Sequence, residues 1–482
     1  MIAAIAPRKS ARTRRRVAPG GPTVESAARP GARRRQRVAR GLAGRARRWW
    51  RHATGSARGP PGAWWEARPG PARRTGPAGR HTHVHWKPRH PVAYTGRVSA
   101  GPRSQPCIPL RVGILGGGQL ARMTAEAARA LGLETVVLDP DTDAPAGQVT
   151  RLVIGPLEPH DALARFARQI DLATLENEFV HRGALEYLAE HGVMVRPSIH
   201  TFGVILDKLH QRAHMDAAGL SPTPYAPIES PGEVPAFAAR HGWPVVLKTR
   251  SQGYDGRGVA IAHDAGEVDA AWQRLGSGVR PLMAEGFVSF TSELAVMVVR
   301  DAYGNVATYP VVETVQEEYV CRVVRAPAAV QPAIADQARH VAAQAITAIE
   351  GVGVFGVELF LGTDGRVTVN EIAPRPHNSG HYTIDACVAS QFENHLRAVA
   401  GLPLGSTSMT APAAVMVNLI GTRSGTMDHL HTGARQVGDA WVHLYGKRQL
   451  RPGRKMGHVT AVGATLDEAE SRAQRAAGEL GL

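Results

Sequence analysis

The stretch VFGVELFLGTDGRVTVNEIAPR, residues 354–375, constrains the fold more than any other part of the chain. Two apolar runs flank Asp364-Gly365, a dipeptide favoured at the centre of a two-residue hairpin turn. A hairpin closed by that pair sets Glu358 directly opposite Glu371, with Cβ atoms about 5 Å apart on one face. Two carboxylates at that spacing repel by about 3 kcal/mol at an effective dielectric of roughly 20. A divalent cation on oxygen ligands removes the conflict, and Mg²⁺ shared with the phosphates of a substrate is the candidate. The competing reading lets both side chains splay into solvent, which suits an isolated pair better than one set in strands this apolar. Strict alternation turns Asn370 to the other face, so it joins the glutamates only across a bulge or a strand end.

Charge divides the chain in two. Residues 1–107 carry 25 Lys+Arg but only Glu25 and Glu66, about +23, which leaves about −7 of the overall +16 for the remainder. A single basic globule is excluded. The first 107 residues are rich in Arg, Pro and Gly and show no sustained apolar periodicity, a composition that predicts disorder. Five of the eight tryptophans also fall here. Three readings of this extension are open: a basic arm that neutralises phosphates while tryptophans stack on bases, an Arg-rich transit peptide, or inert sequence upstream of the true start. Cys107, Cys321 and Cys387 stand far apart without a C-x-x-C pair, which fits a reducing, cytoplasmic setting. No apolar run is long enough to span a membrane.

Beyond the extension, about 375 residues exceed what one core usually supports, so two or three domains are expected. LRVGILGGGQLARMTAEAARALGLETVVLDPD is a strand, a glycine turn, a helix and a second strand ending in Asp139. Gly116, Gly117 and Gly118 allow close approach to a helix N-terminus, which favours an anion. A dinucleotide fingerprint would need Ala121 as its third small residue and Asp139 as its ribose acid, a weak signal alone. Further alternation, with DLATLENEFV as a strand running into Glu176 and Glu178, closes this α/β domain near residue 200. From residue 201 to 400 short strands, glycine turns and a helix from about Pro332 to Glu350 read as an antiparallel α+β module. A smaller β-rich segment, 401–482, ends in a helix.

Four further groups carry chemistry. In VVLKTRSQGYDGRGVAI a strand delivers Lys248, and a loop with Gly253, Gly256 and Gly258 returns into another strand at Val259. Such a loop folds down on phosphates while the lysine supplies a point charge; the sequence is not a Walker loop. Tyr254, Asp255 and Arg257 exceed what a turn needs. Glu285 and Glu293 bracket EGFVSFTSE, a segment that could offer backbone groups to a base and a carboxylate to ribose, or be two surface glutamates. Arg375, His377 and Asn378 follow the hairpin as a dense donor set suited to a small oxyanion, with a structural His377 as the bland alternative. Lys447, Arg451, Arg454 and Lys455 form a phosphate clamp or a solvated basic hairpin.

Taken together, GYDGRG, NEIAPRPHNSGH and RPGRKMGH resemble the 5-(carboxyamino)imidazole ribonucleotide synthase family, ATP-grasp enzymes of purine biosynthesis, from about Leu110 to the C-terminus. The resemblance implies a three-domain fold, α/β and α+β: an N-terminal pre-ATP-grasp domain (108–200), an ATP-grasp domain (201–400) and a small β-rich C-terminal domain (401–482). It implies that ATP and bicarbonate give carboxyphosphate, which carboxylates the exocyclic amine of aminoimidazole ribonucleotide. Lys208 and Lys248 then look like ATP contacts, and Gly253, Tyr254, Asp255, Gly256, Arg257, Gly258 and Val259 like the lid. Glu285, Gly286, Phe287 and Val288 would hold adenine and Glu293 the ribose. Glu358, Glu371 and Asn370 would hold Mg²⁺, or Mn²⁺ in its place. Arg375, His377 and Asn378 resemble the bicarbonate pocket, with Asp255 orienting the amine or accepting its proton. Tyr254, Asp255, Arg257, Lys447, Arg454 and Glu178 resemble the ribonucleotide site. Gln316 stands where the family often has a histidine, and Lys208 where some members have arginine. The family also implies a homodimer.

Two rivals remain: a related ligase such as formate-dependent glycinamide ribonucleotide transformylase, and a nucleic-acid-binding protein led by its basic arm. Deleting residues 1–107 is expected to leave catalysis intact, and turnover of the truncated and full chains side by side measures it.

Overall fold

The computed structural model describes residues 110–220, 222–251, 258–276, 278–427 and 433–481. The basic extension and the lid residues Gly253–Arg257 lie outside the described residues.

Residues 110–195 form a five-stranded parallel sheet in the order Arg151–Ile154, Glu134–Asp139, Arg111–Leu115, Leu172–Leu175, Met194–Val195. The chain winds outward from the central strand Arg111–Leu115 on one side, then crosses to its other side. A crevice therefore opens between the carboxyl ends of Arg111–Leu115 and Leu172–Leu175, where such sheets place their ligands. Gly116–Gly118 and Glu176 sit at those two strand ends. The apolar residues of the central strands Arg111–Leu115 and Leu172–Leu175 are buried on both faces, as a parallel sheet requires, while Ile154 and Met194 on the edge strands are half exposed.

The expected helical stretch after residue 200 is two helices, Ile199–Leu206 and Lys208–Ala217. Asp207 breaks it: extended at φ −110°, it accepts from Leu209 N at 2.9 Å and caps the second helix. That break points Lys208 and Arg212, one turn apart, into the interior. Four antiparallel strands then form a small sheet in the order Tyr225–Ile228, Leu282–Gly286, Val245–Thr249, Val259–Ala262. The helix Pro332–Ala348 matches its predicted span closely and covers the strands Phe290–Arg300 and Val367–Ala373.

The largest sheet does not stop where the β-rich C-terminal segment begins. Its main path runs Val367–Ala373, Gly353–Gly362, Phe290–Arg300, Val312–Glu317, Val320–Ala326, Ala413–Ile420, Lys455–Gly463, Ala440–Leu444, Gly433–Val437. The C-terminal strands thus continue the ladder that carries the carboxylate hairpin, and Leu466–Gly478 packs across them.

A buried histidine joins the parallel sheet to this one. His395, on the helix Gln391–Ala400, accepts from Val354 N at Nδ1 (3.1 Å), which leaves Nε2–H to donate to Thr174 Oγ1 (2.8 Å). Burial holds it down at about 4. A histidine depressed in the folded state stabilises fully above its unfolded value near 6.5, and that stability is lost as pH falls through its folded value. From pH 7 to pH 4, His395 is expected to withdraw about 3 kcal/mol of stability. Urea unfolding of wild type and His395→Asn at both pH values measures this as the flatter pH dependence of the variant.

Candidate active site

The hairpin reaches the predicted pairing by a different route. Its loop holds three residues, not two: Gly362 N donates to Arg366 O (2.8 Å), and Thr363, Asp364 and Gly365 close the turn with Gly365 at φ +78°. Leu361 pairs with Val367, Phe360 with Thr368 and Leu359 with Val369, a register that taken further would set Glu358 opposite Asn370. A bulge intervenes at Asn370 and restores the pairing of Glu358 with Glu371. The same bulge frees Asn370 from strict alternation. Its Nδ2 lies 3.5 Å from Glu358 Oε2, and its Oδ1 accepts from Lys248 Nζ at 3.4 Å.

Cations gather around this carboxylate group. Lys208 Nζ is 2.6 Å from Glu371 Oε1, and Lys248 Nζ is 2.6 Å from Glu285 Oε2. Arg212 pairs with Glu285 and donates from Nη2 to the carbonyl of Asn370, anchoring the bulge. Burial opposes ionisation of Glu371, but Lys208 outweighs it and the carboxyl is held at about 2. Burial and the neighbouring Glu371 push Glu358 up. Burial and Glu358 push Glu293 up to about 7. The hairpin is therefore short of positive charge even with Lys208 in place.

Glu285 is 3 % exposed, its carboxylate engaged by Arg212 and Lys248. Its backbone and that of Gly286, Phe287 and Val288 remain as the possible adenine contacts. Phe287 and Val288 pack with Val246, Val259, Ile261 and Phe360 in an apolar seam between the two antiparallel sheets. Gly258, at φ +86°, leads into Val259 at the end of the lid.

A cavity of 560 Å³ runs from the carboxylate hairpin to the basic C-terminal hairpin. Glu358, Glu371 and Gln316 line it together with Glu178, Arg375, His377 and Asn378 and with the basic Lys447, Arg454 and Lys455. Gln316 Oε1 is buried without a partner. Arg375 holds Glu178 with two parallel bonds, Nε–Oε2 2.7 Å and Nη2–Oε1 2.9 Å. Asn378 exchanges side-chain amide bonds with Asn418 (2.9 and 2.7 Å). His377 Nε2 lies 3.5 Å from Glu358 Oε1, yet this is no ion pair: burial, Arg375 and Lys455 hold the ring at about 3, so it is neutral. A second cavity of 530 Å³ shares Glu178 and Glu371 and is lined by Lys208, Arg250 and Ser251, at the root of the lid.

The glycine turn does not wait for a dinucleotide. Glu176 Oε1 accepts from Leu120 N (3.3 Å) at the helix N-terminus, and a Cβ at Gly118 would collide with it. Asp139 is engaged by the backbone, accepting from Gly117 N at 2.6 Å and from Asp141 N at 2.8 Å. The protein supplies its own acid where a pyrophosphate would bind.

Arg212, Asp207 and Glu176 were not among the expected site residues. Arg212 follows Lys208 by four positions on one helix face, a spacing that could have flagged it. Glu176 was visible only as the end of a strand.

Two antiparallel sheets that bring together a carboxylate hairpin and a lysine strand define an ATP-dependent ligase of the ATP-grasp class. Residues 213–392 match the ATP-grasp domain, 110–206 the ribonucleotide synthetase preATP-grasp domain, and 414–472 the phosphoribosylaminoimidazole carboxylase C-terminal domain. The chain is 43% identical over 370 residues to N5-carboxyaminoimidazole ribonucleotide synthase of Synechococcus elongatus, covering 75% of this chain and 92% of that one. Among solved structures, N5-carboxyaminoimidazole ribonucleotide synthetase of Thermus thermophilus aligns at TM-score 0.68 and 39% identity, over 76% of this chain and 97% of that one. The Aspergillus clavatus enzyme, solved with ADP and 5-aminoimidazole ribonucleotide, aligns at TM-score 0.69 and 37% identity over the same shares. The chain belongs to the N5-carboxyaminoimidazole ribonucleotide synthase family.

The Arg212–Glu285–Lys248 cluster generates a prediction about stability. Replacing a buried carboxylate leaves two cations uncompensated, a loss of about 3–5 kcal/mol. Glu285→Gln is expected to destabilise the protein on that scale, read from urea unfolding midpoints.

Proposed function

We infer that the chain carboxylates the exocyclic amine of 5-aminoimidazole ribonucleotide at the expense of ATP, with bicarbonate as carbon source and carboxyphosphate as intermediate. The observation that carries this reading is the 560 Å³ cavity lined by the paired carboxylates Glu358 and Glu371, by Arg375, His377 and Asn378, and by the basic Lys447, Arg454 and Lys455. The polyphosphate belongs beside Lys208 and Lys248, next to Glu371 where the second cavity adjoins, and the ribonucleotide phosphate beside Lys447 and Arg454. Bicarbonate lies between them.

Mg²⁺, or Mn²⁺, suits Glu358, Glu371 and the amide oxygen of Asn370: the donors are all hard oxygens, and the raised Glu358 carboxyl marks a site in need of positive charge. When bound, it neutralises charge on the transferring phosphoryl group. Lys208 already keeps Glu371 ionised for that role. Arg375 is held by Glu178, so an incoming oxyanion competes for a guanidinium whose orientation is already set. The neutral His377 ring lies at Glu358 and Arg375, placed to hydrogen-bond the acid oxygen of bicarbonate. Carboxyphosphate is short-lived in water, so the lid must close before it forms. Asp255, on that lid, is our candidate for orienting or deprotonating the amine. The unpaired Cys387 fits a reducing cytoplasm, and no helix among the described residues is long and apolar enough to cross a membrane. A homodimer is expected on the family resemblance.

ADP release is expected to require bicarbonate, aminoimidazole ribonucleotide and a divalent cation together. Glu358→Gln and Glu371→Gln are each expected to lower it by about 10²–10³-fold with the fold retained. Turnover with glycinamide ribonucleotide and formate in place of these substrates would overturn the assignment.

A further inference from the structure

The donors expected to hold bicarbonate are largely engaged within the protein. Arg375 is bound to Glu178, Asn378 to Asn418, and His377 Nδ1 to Ser379 Oγ at 2.8 Å. One buried nitrogen, on a residue that lines the cavity, differs. His381 is fully buried, lines the cavity, and its Nε2 has no hydrogen-bond partner.

The neighbouring amide fixes which ring nitrogen carries the proton. Gln391 Oε1 accepts from His377 N (2.9 Å) while Gln391 Nε2 donates to His377 O (2.8 Å). Those two bonds to one backbone residue allow a single amide orientation. The second proton on Gln391 Nε2 is then directed to His381 Nδ1, 3.0 Å away, which must accept it. The ring proton therefore sits on Nε2. Burial, reinforced by His377 and His443, keeps the ring neutral, so this tautomer holds across the physiological range. Gly380 makes the arrangement possible, because a Cβ there would collide with Gln391 Oε1. The ring is wedged among Phe392, Tyr445 and His458 and has little freedom to turn away.

A buried N–H donor without an acceptor is unfavourable, and a ligand oxygen arriving in the cavity would satisfy it. We propose that His381 Nε2–H is a further donor for the carboxylate oxygen of bicarbonate and of the carboxyphosphate formed from it, with Gln391 as the positioning residue that fixes its tautomer. The proposal rests on the reading of the cavity given above. A neutral donor suits this place: it binds a carboxylate without offering a titratable proton to a labile mixed anhydride.

The experiment uses the full chain and the ADP-release assay, with KM measured separately for bicarbonate, ATP and the ribonucleotide. His381→Phe keeps a ring among the aromatic neighbours but removes the donor, and is expected to raise KM for bicarbonate roughly tenfold with KM for ATP unchanged. His381→Gln places an amide N–H at similar reach and is expected to restore most of that loss. Gln391→Glu offers only acceptors to Nδ1, so it should move the ring proton to Nδ1 and raise KM for bicarbonate alike. Histidine ¹⁵N NMR reads the tautomer directly: wild type should show Nε2–H, shifting when bicarbonate and a non-hydrolysable ATP analogue are added. An unchanged KM for bicarbonate in His381→Phe, a rise in KM for the ribonucleotide alone, or an Nδ1–H tautomer in wild type would each overturn the proposal. If the variants fail to fold, the wild-type NMR shift decides it. A wild type inactive with these substrates would instead refute the proposed function itself.

Discussion

Like charges on adjacent strands of a hairpin cannot be left alone, and the architecture of this protein follows from how Glu358 and Glu371 are accommodated. The apolar strands that carry them hold both carboxylates in the cavity wall, Glu358 at 18% and Glu371 at 35% side-chain exposure. Their repulsion is relieved by cations brought from two elements, a helix and a strand. Lys208 is delivered by the helix that Asp207 starts, Lys248 by a central strand of the small sheet, and Arg212 by the helix turn after Lys208. Arg212 reaches past its own partner to the carbonyl of Asn370, so the group that balances Glu285 also holds the bulge that sets the glutamates opposite each other. Electrostatics and register are coupled through one guanidinium.

Buried ion clusters of this kind add little net stability compared with apolar packing, because desolvation offsets most of the Coulomb gain. Their effect here is on geometry. An apolar residue at position 212 could fill the space but could not hold a carbonyl at a bulge. Of the charges left incompletely neutralised, Glu358 and Glu293, the first lines the cavity beside the lysine-paired Glu371, while the fully paired Glu285 does not. The unfilled need for positive charge at Glu358 thus faces the cavity.

Much of this was legible in the sequence because local patterns and global fold agree. The β-α-β start, the helix beginning at Pro332, the lysine strand and the opposition of the two glutamates all come from periodicity and turn chemistry. The hairpin illustrates the limit of that method. Asp364-Gly365 marks a turn correctly but does not fix its length, and the bulge at Asn370 compensates for the extra loop residue, so the pairing came out right although its stated reason did not. Contacts between distant segments were not legible. Thr174 with His395, Arg375 with Glu178 and Gln391 with His381 each bring together residues whose partners no periodicity can name. The glycine turn misled in a similar way, since only the fold reveals that Glu176 fills its helix N-terminus.

The continuity of the large sheet bears on how two substrates are held in register. The carboxylate hairpin and the basic hairpin of Lys447 and Arg454 lie on opposite parts of one ladder, linked through Phe290–Arg300, Val312–Glu317, Val320–Ala326, Ala413–Ile420 and Lys455–Gly463. Strands hydrogen-bonded side by side keep their spacing and cannot slide without breaking many bonds at once. The two hairpins, whose residues line one cavity, are therefore held by a single ladder, and on the proposed reading that ladder is what would bring two reactants together.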